Sequence, residues 1–282
     1  LTAARLPLGQ PAHSRSAVSN STSITVRVLG FPITIGFAFP IVMVILGYIS
    51  RLAGIELVIW VIFGTFAITV HELGHALAFR HYGLESSIRF WAMGGLAIPN
   101  DQEAAASLPD RQWLVVSLAG PGVGLVLGSV GLALEGFVAG QSPDVRSAVG
   151  IWTFVNLGWS VFNLLPITGL DGGSAVMHVM QLAFGERGQA VALVASMAFS
   201  AAVAVLAFAN DLAFVGVIAI VFGLANPYQY RALLAALFPG WAERRARRES
   251  EQEEPLARQY RYEDPPGPAW PQGDDQERWQ RP

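Results

Sequence analysis

Long apolar stretches separated by short polar connections run through most of this chain. A hydrocarbon core about 30 Å thick takes roughly 20 apolar residues per helix. Nearly charge-free stretches of that size recur at 31–50, 53–82, 113–137, 148–165, 189–209 and 212–237. They predict about six transmembrane helices, and the short connections predict antiparallel neighbours in one all-α polytopic bundle. The expected membrane core covers 25–240. Residues 1–24 are rich in Ser, Ala and Pro without the apolar centre of a signal peptide, so they are expected to form a flexible cytosolic leader. Residues 241–282 mix charge blocks with Pro and Gly and predict a disordered cytosolic tail.

Composition agrees with a membrane protein. Hydrophobic residues make up 52% of the 282 residues and charged residues only 14%, too apolar for an ordinary soluble domain. All 18 basic residues are Arg, which together with abundant Ala and Gly suggests a GC-rich bacterial coding sequence. Arg27, Arg80, Arg89, Arg111, Arg231, Arg244, Arg245, Arg247 and Arg248 fall on one side of the expected spans, and Arg51 and Arg146 on the other. The positive-inside bias then predicts that both termini are cytosolic in a multi-pass cell-membrane protein. The net charge of -3 lies mostly in loops and tails, and nothing in the pattern supports nucleic-acid binding. With no cysteine, disulfides, thiolate ligands and cysteine nucleophiles are excluded, so any metal site must use His, Asp or Glu.

The polar exception is "TVHELGHALAFRHYG", residues 69–83, at the end of the second apolar run. On a helix, residues four apart share a face about 6 Å apart, so His71 and His75 can grip one ion. Glu72 lies about 100° round the helix, poorly placed as a ligand and well placed to act on a water beside the metal. This is the HExxH arrangement of zinc hydrolases. The plain alternative is a buried helix that tolerates polar residues, but ionisable side chains at membrane depth are costly and usually paired or functional. Gly74 within the motif lowers helix propensity and marks a place where something approaches closely.

Zinc with one open position needs a third protein ligand. His81 completes the spacing HExxHxxxxxH of soluble metzincins, whose helix ends at a Gly three residues after the second His. Here that position is Ala78, a helix former, and a continuing helix carries His81 about 15 Å along the axis from His71. His81 then reads as an interfacial residue, and Glu85 and Glu103 as solvated loop acids. The stronger candidate is Asp171, the one acid between Asp144 and Glu186, in "NLLPITGLDGG". Pro166, Gly169, Gly172 and Gly173 predict that the helix unwinds just before it, and irregular backbone at membrane depth is tolerated where it lines a cavity.

Together, HELGH in the second run, "SLAGPG" in the third and "FNLLPITGLDGG" in the fourth resemble the site-2 proteases, the intramembrane zinc metalloproteases. The pattern NxxPxxxLDG is met by Asn163, Pro166, Leu170, Asp171 and Gly172, and the resemblance extends over about 25–235. It implies one Zn2+ held by His71, His75 and Asp171, with Glu72 as general base and Asn163 lining the substrate site. It also implies a membrane-associated β-hairpin between the second and third spans, with Gly94 and Gly95 in the strand-like "SIRFWAMGGLAIP", where extended substrate would pair. The activity implied is hydrolysis of peptide bonds within or near transmembrane segments, as in regulated intramembrane proteolysis. The substrate would be a transmembrane protein such as a membrane-anchored anti-sigma factor. Two positions depart from the family's usual residues: Gly124 stands where Asn is frequent, and Ser174 where Arg follows LDGG. Gly120, Gly124 and Gly128 read instead as a small-residue packing stripe. A membrane metal transporter or sensor would also explain intramembrane His and Asp, though not Glu72 or the paired LDGG. An inactive scaffold of the same fold would be expected to have lost a ligand or Glu72.

Overall fold

The computed structural model describes residues 23–92, 94–223 and 240. The chain divides into two units, 1–237 and 238–282. The tail and nearly all of the leader lie outside the described residues, while residues 23 and 24 already belong to the first strand.

The described part is mostly helical with one small sheet. Strands β1 (Ser23–Val28) and β2 (Phe31–Gly36) lead into α1 (Ala38–Ile49) and α2 (Gly54–His81). Strands β3 (Ser86–Trp91) and β4 (Gly94–Pro99), a short α3 (Gln102–Ala106) and α4 (Asp110–Glu135) follow. Helix α5 (Pro143–Thr153) continues through a π-helical turn, Phe154–Gly158, into α6 (Trp159–Asn163). Then come α7 (Asp171–Phe184), α8 (Glu186–Ala209) and α9 (Ala213–Gly223). Among the described residues, three helical stretches are long and apolar enough to cross a membrane: Gly54–His81, Asp110–Glu135 and Arg187–Ala209.

These elements correct the expected spans in several places. Residues 31–50 do not form one helix, because "FPITIG" alternates buried and partly exposed positions and is a strand. What remains, α1, has 12 residues, about 18 Å of helix and too short to cross a bilayer alone. The fourth run is helical over 143–163, with its register shifted by the π turn. Of the sixth, 212–223 is described and contains α9, and 224–237 lies outside the described residues. Helix α7 has no counterpart among the expected spans.

The sheet has order β1-β2-β3-β4. The hairpin β1–β2 turns at Leu29 and Gly30, both at positive φ (50° and 88°), as a two-residue primed turn requires. Strand β3 pairs antiparallel with β4, and β2 runs parallel to β3. A parallel pair needs a long crossover, and here the crossover is α1 and α2. The second helix is thereby laid against the sheet: Phe31, Ile33, Ile88 and Phe90 pack with Phe39 and Met43 of α1 and with Ile68, Leu73 and Ala76 of α2. Leu73 and Ala76 face this core, which leaves His71 and His75 to another side of the helix.

Arg80 pins the end of α2 to the first hairpin. Its guanidinium donates to the Leu29 carbonyl oxygen at 3.1 Å and lies 3.6 Å from the Phe31 ring centroid. Arg80→Ala removes both contacts and is expected to cost about 1–2 kcal/mol. The measurements are a lower unfolding temperature in detergent and faster amide exchange in β1 and β2.

Candidate metal centre

Helix α2 supplies two imidazoles. His71 and His75 lie four residues apart, only 3% and 7% exposed, with their Nε2 atoms 3.2 Å from each other. Asp171 comes from the other side of the site, at the first residue of α7. Its Oδ2 lies 3.0 Å from His71 Nε2 and 3.3 Å from His75 Nε2. Among the described residues, His71, His75 and Asp171 form the one group of three or more His, Asp or Glu side chains that could hold a metal ion.

The donor set suits zinc. Ligands at about 2.0–2.1 Å in a tetrahedron are separated by about 3.3 Å from one another, and the three observed edges are 3.0, 3.2 and 3.3 Å. One ring is oriented for the purpose: His75 Nδ1–H donates to the Val116 carbonyl oxygen at 2.7 Å, which leaves the lone pair on Nε2. Two imidazole nitrogens and one carboxylate oxygen without thiolate form a set used by hydrolytic zinc sites.

Local sequence explains why the helices come this close. A Cβ at Gly74 would stand 2.7 Å from the Ala119 carbonyl oxygen, and a Cβ at Gly120 would collide with His75 Nε2. The small residues of HELGH and AGPG therefore allow α2 and α4 to cross with the His75 ring between them. Pro121 cannot donate to the Ser117 carbonyl four residues back, and next to this gap in the α4 ladder the Val116 carbonyl accepts from His75. The LDGG turn works similarly. Leu170 is extended, Asp171 opens α7, and Gly172 and Gly173 lie on the carbonyls of Leu164 and Ile167, where any side chain would collide.

Glu72 is buried, 5% exposed, beside the two imidazoles. It faces β4: a Cβ at Gly95 would stand 2.5 Å from Glu72 Cγ and 2.9 Å from its Oε1. Gly94, at φ +132°, lies against the Trp159 ring. Strand β4 therefore runs between Glu72 and the helix that carries Asn163. Asn163 is buried at the end of α6 and gives one amide proton to the Trp159 carbonyl oxygen at 2.9 Å. His81 ends α2 with its ring against Tyr82, apart from the metal group.

Two contacts beside the site were not foreseen from the sequence. Ser117 and Ser174 are hydrogen-bonded at 2.8 Å, and His178 Nδ1 lies 3.1 Å from Asp110 Oδ1. The available signal was helical spacing, since Asp171, Ser174 and His178 fall at i, i+3 and i+7 on one face once α7 is known to be a helix.

No family model matches the chain. Among curated proteins, a Synechocystis sp. (strain PCC 6803) protein provisionally named a zinc metalloprotease is 34% identical over 115 residues, 40% of this chain and 29% of the relative. The provisionally named zinc metalloprotease Rip3 of Mycobacterium tuberculosis (strain H37Rv) is 33% identical over 113 residues, 39% of this chain and 28% of the relative. A protein of Methanocaldococcus jannaschii named a zinc metalloprotease is 25% identical over 165 residues, 56% and 45% of the two chains. The matches thus span less than half the length of these curated relatives. Among solved structures, the site-2 protease from Methanocaldococcus jannaschii superposes with a TM-score of 0.51 at 20% identity, covering 75% of this chain and 95% of that one, which establishes a shared fold. The chain thus shares the fold of that site-2 protease and, over part of its length, is similar in sequence to curated proteins named zinc metalloproteases.

Proposed function

We propose that the chain is an intramembrane zinc metalloendopeptidase that hydrolyses peptide bonds within or near transmembrane segments. The observation that carries this reading is the convergence of His71, His75 and Asp171 with Glu72 buried beside them and a strand edge passing Glu72. In this reading His71, His75 and Asp171 hold one Zn2+, and bound zinc supplies a Lewis acid and a water of lowered pKa.

The protein's own groups do the rest. Glu72 takes a proton from the attacking water as its oxygen bonds to the carbonyl carbon, and returns that proton to the leaving amine nitrogen as the C–N bond breaks. One new carboxyl end and one new amino end result. A transmembrane helix hides its amides in its own hydrogen bonds, so the segment to be cut must unwind. Strand β4 lies at the end of the sheet order, which suits it to pair with an extended peptide. Gly94 and Gly95 keep that peptide's path close to Glu72, and Asn163 donates its remaining Nδ2–H to the peptide carbonyl oxygen.

The membrane arrangement we favour keeps six crossings: α1 with its flanking residues, then α2, α4, the helical run 143–163 with α7, α8, and the segment that begins with α9. The Arg bias orients both termini to the cytosol of a multi-pass cell-membrane protein, and the sheet lies at the membrane with β4 facing the site. The substrate is a transmembrane protein already trimmed outside, such as a membrane-anchored anti-sigma factor. A transporter or an inactive scaffold is less well supported, because both leave the buried Glu72 beside the ligands without a use.

The test is cleavage of a transmembrane reporter by purified protein in detergent. Glu72→Gln and chelation of the metal are each expected to lower the rate at least about 100-fold. Cleavage by Glu72→Gln at the wild-type rate sinks the protease reading, and zinc flux into vesicles without cleavage supports a transporter instead. Metal content separates the ligands: Asp171→Ala is expected to lower zinc per chain, while His81→Ala leaves it unchanged.

A further inference from the structure

The face of α7 that carries Asp171 does not end at the metal group. One helical turn on, Ser174 is bonded to Ser117 at 2.8 Å, and another turn on, His178 Nδ1 meets Asp110 Oδ1 at 3.1 Å. The His178 ring also lies parallel to the Trp113 ring, with centroids 5.8 Å apart and planes 5° apart. Trp113 is itself fixed by an Nε1–H bond to the Ala105 carbonyl oxygen at 3.0 Å. Asp110, Trp113 and Ser117 lie at i, i+3 and i+7 of α4, so one face of that helix meets one face of α7 through polar contacts. His178 is buried, 8% exposed. A buried imidazole is costly unless its hydrogen bonds are met.

We infer that Asp110, Trp113 and His178 form an anchor that sets α7 against α4 and thereby positions Asp171 as the third metal ligand. The inference rests on the metal-binding reading given above. The reasoning is mechanical. Asp171 is the first residue of α7, and the segment before it, 164–170, is irregular. Its carboxylate is therefore held relative to the two histidines through the placing of α7, at one end by the 164–170 turn, where Thr168 is bonded to Ser196 of α8 at 2.7 and 2.9 Å, and along its length by its contacts with α4. His71 and His75 belong to α2, which is locked to α4 at Gly74 and Val116. Helix α4 is the shared reference, and the anchor ties α7 to it one turn beyond the Ser117–Ser174 bond. His178 stands seven residues from Asp171, about 10 Å along the helix, so it acts through the helix and not on the ion. These are positioning residues.

Zinc affinity measured by chelator competition on the full chain in detergent tests the inference, with the visible spectrum of the cobalt-loaded protein as a second readout. His178→Ala and Asp110→Asn are each expected to weaken zinc binding about 10-fold or more, the range found for groups that orient ligands. The cobalt spectrum should move toward that of Asp171→Ala. His178→Asn places an amide nitrogen near the position of Nδ1 and should recover part of the lost affinity. In the Asp171→Ala background, His178→Ala should cause no further loss. Equal loss with and without Asp171, or no loss in either, overturns the inference. If His178→Ala does not fold, Asp110→Asn and its combination with Asp171→Ala are judged by the same criteria. A wild-type chain that binds no zinc refutes the metal-binding reading itself. Wild-type binding that depends on His71 and His75 but is indifferent to His178 and Asp110 refutes the anchor alone.

Discussion

The close crossing of α2 and α4 is the constraint on which the rest of the site depends. Gly74 lets the α4 backbone approach at Ala119, Gly120 makes room for the His75 ring, and the Val116 carbonyl fixes that ring's tautomer. A side chain larger than hydrogen at either glycine would separate the helices and release the imidazole from its acceptor. In a membrane, where helix association draws little on the hydrophobic effect, such close backbone approach is a main source of packing energy. The same contacts therefore stabilise the bundle and shape the donor set. Farther along α4, Gly124 and Gly128 repeat the device against Ser160 and Leu157.

A second constraint comes from topology. Because β2 and β3 are parallel, the chain must leave the sheet and return through α1 and α2, so the helix bearing HELGH is the crossover of the sheet. Its apolar side, Leu73 and Ala76, is held in the core beneath the strands. Glu72 then falls under β4, where Gly95 allows contact between strand backbone and carboxylate. The general-base candidate and the strand edge that would present a peptide are thus brought together by one crossover, and their separation does not rely on a mobile loop.

The grouping of the candidate ligands was more legible in the sequence than the fold around it. HELGH announces itself because helical spacing alone places His71 and His75 on one face, and Asp171 stands out as a single acid among glycines in apolar sequence. Ala78 correctly argued that α2 continues and carries His81 away from the site. The first strands were not legible as strands. "FPITIG" is apolar enough to pass for the start of a membrane helix, and its period-two burial appears only when β1 and β3 are in place. Helix α7 was hidden for a related reason, since the glycines that open it look like a turn and are small because they rest on carbonyls. The Asp110–His178 pair joins residues 68 apart in sequence, and no local pattern reports such a contact.

The two departures from the family's usual residues have local partners that account for them. At position 124 a Cβ would collide with Ser160 Oγ and stand 3.2 Å from the Asn156 carbonyl oxygen, so the space an Asn side chain would fill is taken by α6 and the π turn. That turn adds a residue to one helical repeat, and the added residue changes which side chains face α4. Glycine at 124 and the π turn are thus parts of one packing solution. At position 174 the serine hydroxyl is bonded to Ser117 on the buried side of α7. A long Arg at that position would have to displace this bond or extend past α4, whereas two short hydroxyls satisfy each other within the helix interface. Neither exchange alters the His71, His75 and Asp171 donor set. Both change the walls around it, on the sides where α4 meets α6 and α7.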